Sequence, residues 1–233
     1  MSYINSYCRI VPGHVEINKE TYFESTDKPF VMNNFFSAIY EHAGIDYRRF
    51  FKMDALSKLG FLASELLLAG SDREHPKQDM GIILFNRSSS LGADWNYQKT
   101  IQDKNNFFPS PAEFVYTLPN IVTGEIAIRN KIYGETVFYI LPHFEIEICE
   151  HVNNTLYDAG IDYVLAGWIE VDVFNNTVDC LMMLCTSKPG RMGVNKRIPF
   201  LPEWLKGVCA GEVMELNEHM INKIYNNLKY IKQ

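Results

Sequence analysis

Side chains able to do chemistry are few and scattered. The five cysteines, Cys8, Cys149, Cys180, Cys185 and Cys209, are odd in number and irregular in spacing. A zinc site or a disulfide framework usually shows close pairs such as Cys-x-x-Cys, so these read as reduced thiols, mostly core. His14, His42, His75 and His151 show no His-x-x-x-His spacing, and neither a metal nor a cofactor is expected. Ser88-Ser89-Ser90-Leu91-Gly92 follows an apolar run but lacks the Gly-Lys pair of a phosphate-cradling loop, so a nucleotide site is not expected. Lys188, Arg191, Lys196, Arg197 and Lys206 gather positive charge around a single acid, Glu203. The cluster reads as a solvated loop or as a docking face for an acidic partner.

The elements that must position these groups are read from hydropathy. Gly81 to Phe85, Thr136 to Leu141, Asp162 to Ala166 and Val178 to Cys185 are the clearest strands, mostly continuous apolar runs. Such runs suit strands covered on both faces. Between them, Asp54 to Ala69 carries Leu56, Leu59, Ala63, Leu66 and Leu67 on one stripe before Gly70, which predicts a helix packed on a core. Pro119 to Tyr133, ending at Gly134, predicts another. Pro142 to Ala159 alternates like a strand at Phe144, Ile146 and Ile148. Yet Phe144, Ile148, Cys149, Val152 and Leu156 form a helical stripe, Pro142 suits a first turn and Gly160 a stop, so helix is preferred. The segment from Gly211 carries Val213, Met214, Met220, Ile221, Ile224, Leu228 and Ile231, an amphipathic helix that needs a surface to lie on. This alternation predicts an α/β fold with a largely buried sheet.

Composition narrows the partners. The 233 residues are 47% hydrophobic and 21% charged, which excludes disorder. The net charge of −6 offers no electrostatic case for nucleic acid or an anionic membrane. Met1 to Tyr7 lacks a secretory pattern, and no apolar run approaches the roughly 20 residues that cross a bilayer. A cytoplasmic location is expected.

Particular residues then stand in a recognisable order. They are Gly81-Ile82-Ile83-Leu84-Phe85, Phe108-Pro109-Ser110-Pro111, Thr117-Leu118-Pro119-Asn120, Thr123-Gly124-Glu125-Ile126-Ala127-Ile128-Arg129, Tyr133-Gly134-Glu135-Thr136 and Ala159-Gly160-Ile161-Asp162-Tyr163-Val164-Leu165-Ala166-Gly167. The series resembles the N-terminal half of the β-ketoacyl-acyl-carrier-protein synthases, thiolase-like condensing enzymes. Arg48-Arg49-Phe50 with Leu56-Ser57-Lys58-Leu59 also resembles the segment that opens an early family helix.

The resemblance implies a thiolase-like half: a mixed, mostly parallel sheet of about five strands with helices on both faces, plus a C-terminal amphipathic helix. A single domain is expected over 1–233, with a core over 1–185 and an extension over 186–233. In the family, a cysteine at the end of the central strand opens a helix, whose dipole favours the thiolate that accepts an acyl group. Here that position falls on His143, with Cys149 about one and two-thirds turns inside the expected helix. Family histidines that drive decarboxylation come from the C-terminal half, which 233 residues are too few to include; His219 is the sole histidine after Cys185.

The chain therefore resembles short chain-length-factor subunits of type II polyketide and polyene pigment systems. A non-catalytic partner of a ketosynthase is implied, working on carrier-bound chains. Thr136, Val137, Phe138, Tyr139 and Ile140 would form the partner edge, an apolar edge that aggregates unless paired. Phe138, Tyr139, His143, Phe144, Tyr116, Pro119 and Asn120 would lie near the acyl tunnel and seam, or be ordinary core. Lys188, Arg191, Lys196, Arg197 and Lys206 would dock an acyl carrier protein. Two alternatives remain. One is a thioesterase or acyltransferase using His143 as base. The other is a homodimer that binds a carrier protein.

Overall fold

Residues 3–187 and 198–199 are described by the computed structural model of the chain. Their strands are β1 (Tyr3–Val11), β2 (His14–Ile17), β3 (Glu20–Glu24), β4 (Met80–Asn86), β5 (Thr136–Ile140), β6 (Tyr163–Asp172), β7 (Thr177–Thr186) and β8 (Ile198–Pro199). The helices are α1 (Met32–His42), α2 (Ala55–Leu67), α3 (Leu91–Ile101), α4 (Pro111–Val115), α5 (Ile121–Asn130) and α6 (Ile146–Asp158). One sheet takes the strands in the order β3-β2-β1-β7-β6-β4-β5, with β8 also on β1.

Alternation along buried strands divides the core in two. On β4, Ile82 and Leu84 face one cluster, Ile83 and Phe85 the other. Phe35 and Ile39 of α1, Leu59 and Leu62 of α2, and Val122 and Ile126 of α5 cover the first face. Cys149 and Leu156 of α6 cover part of the second. Helices on both faces of a mixed sheet are thus found as expected.

The sheet is larger than the expected five strands, and its pairing is mostly antiparallel. β1, β4, β5 and β6 do point the same way, since β7 is antiparallel to both β1 and β6 while β4 is parallel to β5 and β6. Of the seven pairings, only β4 with β5 and β4 with β6 are parallel. The physical reason is local. A four-residue turn, with Asn176 at φ 53°, folds β6 and β7 into a hairpin although both read as doubly buried strands. β2 and β3 add an edge hairpin rich in charge, with Glu16, Glu20 and Glu24, which no continuous apolar run announces.

Helix ends also differ. Asp54, where the expected helix begins, caps α2, its carboxylate accepting from the amides of Leu56 and Ser57, and α2 itself ends at Leu67, short of the expected Ala69. α5 starts at Ile121 and stops at Lys131, whose left-handed φ of 52° does the work expected of Gly134. Gly134 instead allows a close approach: a Cβ there would collide with the Met80 carbonyl beside the entry to β5. α6 begins at Ile146, so Pro142 lies outside its first turn, while Gly160 at φ +95° provides the expected stop. The expected helix from Gly211 and the basic cluster Lys188, Arg191, Lys196, Arg197 and Lys206 lie outside the described residues.

Candidate functional site: the β5 edge

β5 ends the sheet. Its backbone pairs with β4 from Ile82 opposite Thr136 to Asn86 opposite Ile140, and no strand among the described residues lies on its other side. Gly134 permits the tight entry, and the Leu141 amide donates to the Asn86 carbonyl at 2.8 Å at the exit. Alternation then sorts the side chains. Phe138 packs against the cluster under α2 and α5. Tyr139 turns to the opposite face and stacks on Phe85, ring centroids 5.5 Å apart and planes at 18°. Phe85 lies 5.8 Å from Phe144, which lies 6.1 Å from Trp168. A row of aromatic rings thus crosses β5, β4 and β6; of the predicted residues, Tyr139 and Phe144 both pack on Phe85 in it, and Phe138 lies on the opposite face.

His143 is brought to the strand's exit, where its described partner is a carboxylate. Its Nε2 lies 2.9 Å from Glu145 Oε1, and both side chains are about half exposed. Cys149, in the first turn of α6 and not deep within it, is completely buried. Among the described residues no thiol or hydroxyl is within hydrogen-bonding reach of His143. Among the described residues, a base beside an open carboxylate is the one part of an acyl-transfer site present here.

Tyr116, Pro119 and Asn120 belong to a different neighbourhood. The Tyr116 hydroxyl donates to Glu125 Oε1 at 3.4 Å. Burial, and then the charge of Glu125, push its pKa up to about 12. Asn120 precedes α5 without a side-chain cap, and its carbonyl accepts from Gly124 and from the Thr123 hydroxyl. Pro119 is partly buried between them.

The loop after β4 is held by the protein's own side chains. Glu170, buried in β6, accepts from the Arg87 amide at 2.7 Å, the Ser88 amide at 3.3 Å and the Ser88 hydroxyl. Asn86 clasps Ser89 through Nδ2 to its carbonyl at 2.8 Å and Oδ1 from its amide at 3.0 Å. The protein's own carboxylate takes the donors that a phosphate would need. Among the described residues no group of three or more His, Cys, Asp or Glu could hold a metal, and no helix is long and apolar enough to cross a membrane.

Sequence reasoning missed the extent of apolar exposure. Nine of the eleven exposed large hydrophobic side chains described fall between residues 107 and 140: Phe107, Phe108, Phe114, Val115, Leu118, Ile128, Tyr133, Tyr139 and Ile140. The available signal was Phe107-Phe108 inside a Pro- and Asn-rich loop, where apolar rings have little core to join.

No family model and no curated protein matches the chain. Solved structures do. The ishigamide ketosynthase/chain length factor aligns at a TM-score of 0.55 and 15% identity over 80% of this chain and 62% of that one, so the chain spans less than two thirds of it. A chain from the complex of the ketosynthase ApeO with its chain length factor ApeC, from Xenorhabdus doucetiae, aligns at 0.52 and 16% over 90% and 91%. The mixed sheet, its helices on both faces and these two likenesses together give the chain the thiolase-like α/β fold of ketosynthase and chain-length-factor structures.

Proposed function

We propose that the chain is a non-catalytic, chain-length-factor-type subunit that pairs with a ketosynthase in the synthesis of carrier-bound fatty acyl, polyketide or polyene chains. One observation carries the reading: β5 is an edge strand with Tyr139 38% and Ile140 54% exposed, in the stretch that holds most of the exposed apolar side chains described. Open apolar edges invite pairing with another chain, and exposed apolar surface of this kind marks interfaces. His143 at the strand exit, beside Glu145 and with no thiol in reach among the described residues, supports a partner role over a catalytic one. The fold neighbours, which include a ketosynthase bound to its chain length factor, favour the same class of partner. An acyl carrier protein docked on Lys188, Arg191, Lys196, Arg197 and Lys206 extends this reading.

Co-expression with a ketosynthase encoded beside it tests the proposal. The two chains co-purify as a heterodimer, and a stable homodimer that never associates with the synthase overturns it.

A further inference from the structure

A cleft opens at the carboxyl ends of the parallel strands β4 and β6, between the N-terminus of α2 and the first turns of α3. Leu56, Ala93, Val171 and Val173 give it apolar walls, and Asp54, Ser89 and Ser90 polar ones. In open α/β sheets, ligands bind in crevices outside the carboxyl ends of the strands. The cavity volume of about 40 Å³ equals about three water molecules, so it admits a group of about three or four heavy atoms. Its walls are fixed by contacts within the chain. Glu170 and Asn86 clasp residues 87–89. Gly92 lets α3 close on Val173, just past β6, since a Cβ there would come within 2.9 Å of that side chain.

The donors around this cleft are largely spent. The amides of Leu56 and Ser57 bond Asp54, at 3.3 and 3.0 Å. The Leu91 amide bonds the Ser88 carbonyl, and those of Ala93 and Asp94 the Ser90 carbonyl. The Ser89 amide bonds Asn86. The Ser90 hydroxyl has one hydrogen for two acceptors, the Thr117 carbonyl at 2.6 Å and Asp94 Oδ2 at 3.3 Å, so toward a ligand it can only accept. A carboxylate has about four acceptor positions and no donor, which leaves Asp54 with capacity beyond its two amides. The ligand that suits such a lining donates hydrogen bonds. Its charge follows from Asp54. Burial raises the Asp54 pKa above 3.8, outweighing the bonds from Ser57 and Leu56 and the charge of Lys58. A cation in the cleft offsets that cost, whereas an anion adds to it. Among the described residues no group of three or more His, Cys, Asp or Glu could hold a metal, which leaves an organic cation.

We infer that the cleft binds a primary alkylammonium group, its nitrogen donating to Asp54 and Ser90 and its short stem lying against Val171 and Val173. The site does not rest on the ketosynthase pairing proposed at β5.

Amide NMR spectra of the full chain test it, with n-propylammonium chloride as the probe and n-propanol and sodium propionate as comparisons at constant ionic strength. Propylammonium should give saturable shifts at residues 54–57, 89–96 and 171–173, with a Kd in the millimolar range, as about four heavy atoms allow. The alcohol and the carboxylate should give none that saturate. Asp54→Asn removes the charge but keeps a capping oxygen for α2, and should weaken binding at least tenfold. Ala55→Leu, at the partly exposed first position of α2, fills the cleft and should abolish saturation; it decides the matter alone if the Asp54 variant does not fold. Shifts that rise linearly without saturating, propanol or propionate bound as tightly as propylammonium, or wild-type affinity in either folded variant overturn the inference.

Discussion

Arg49 reaches from a short 3-10 turn to Glu125 on α5, Nη2 to Oε1 at 3.0 Å, joining a half-exposed cation to a carboxylate only 2% exposed. The Glu125 Oε2 atom has no hydrogen-bond partner among the described residues. Arg49 and the Tyr116 hydroxyl are therefore what compensates a buried charge at the packing of α2 on α5. Arg49→Ala should lower unfolding free energy by about 1–3 kcal/mol, the usual cost of stranding a buried polar group. Arg49→Lys should restore part of it. Urea denaturation of the three proteins checks this; an alanine variant as stable as wild type would show that water suffices.

Glu170 gives a pH signature. Burial raises its pKa above the ordinary 4.5, outweighing the donors from Arg87 and Ser88 that lower it. A carboxyl with a raised folded value holds its proton more tightly in the fold than in the unfolded chain. Its contribution to stability is therefore present below pH 4.5 and lost as pH rises toward the folded value. Glu170→Gln removes that titration. The difference in urea midpoint between wild type and variant should change with pH from about 4.5 upward and then level off. A constant difference from pH 4 to 8 would refute the assignment.

The edge of β5 separates assembly from folding. Ile140 is exposed, so Ile140→Glu should alter monomer stability by no more than about 0.5 kcal/mol. The same change puts a charge on the surface proposed to pair, and should weaken association with the ketosynthase at least tenfold. Calorimetric titration and thermal melts of the same preparation read the two effects. Unchanged affinity would remove β5 from the interface.

How far the sequence reveals this arrangement depends on which contrast each residue presents. β4, β5, β6 and β7 are legible because runs such as Ile82-Ile83-Leu84-Phe85 have no polar break, and α2 because Asp54 and its Leu stripe mark start and face. α3 is not, because Ala93 is its one buried residue and no stripe exists to see. In β1, Cys8 and Ile10 point inward while Arg9 pairs outward with Asp179, so the polar residue breaks the run that would betray the strand. At the candidate site, β5 and its aromatics can be read from the strand and its elbow. The exposure of Phe108, Leu118 or Tyr133 cannot, since an apolar residue that finds no cover looks the same in sequence as one that does. Proximity along the chain groups Tyr116 with the seam, whereas Glu125 draws it to α5.

His143 offers the sharpest test of chemistry at the strand exit. Acyl transfer needs a nucleophile, a base within reach of it and donors for the oxyanion. His143 meets Glu145 at 2.9 Å on an open surface, and the neighbouring thiol of Cys149 is wholly buried. Water enters such a site freely, and no attacking group stands within reach among the described residues. Incubated with acyl-carrier thioesters, wild-type protein and His143→Ala should therefore hydrolyse or transfer the acyl group at the same background rate, read by mass spectrometry of the carrier. A rate at least tenfold higher for wild type would make the histidine a working base and return the chain to the acyl-thioester enzymes.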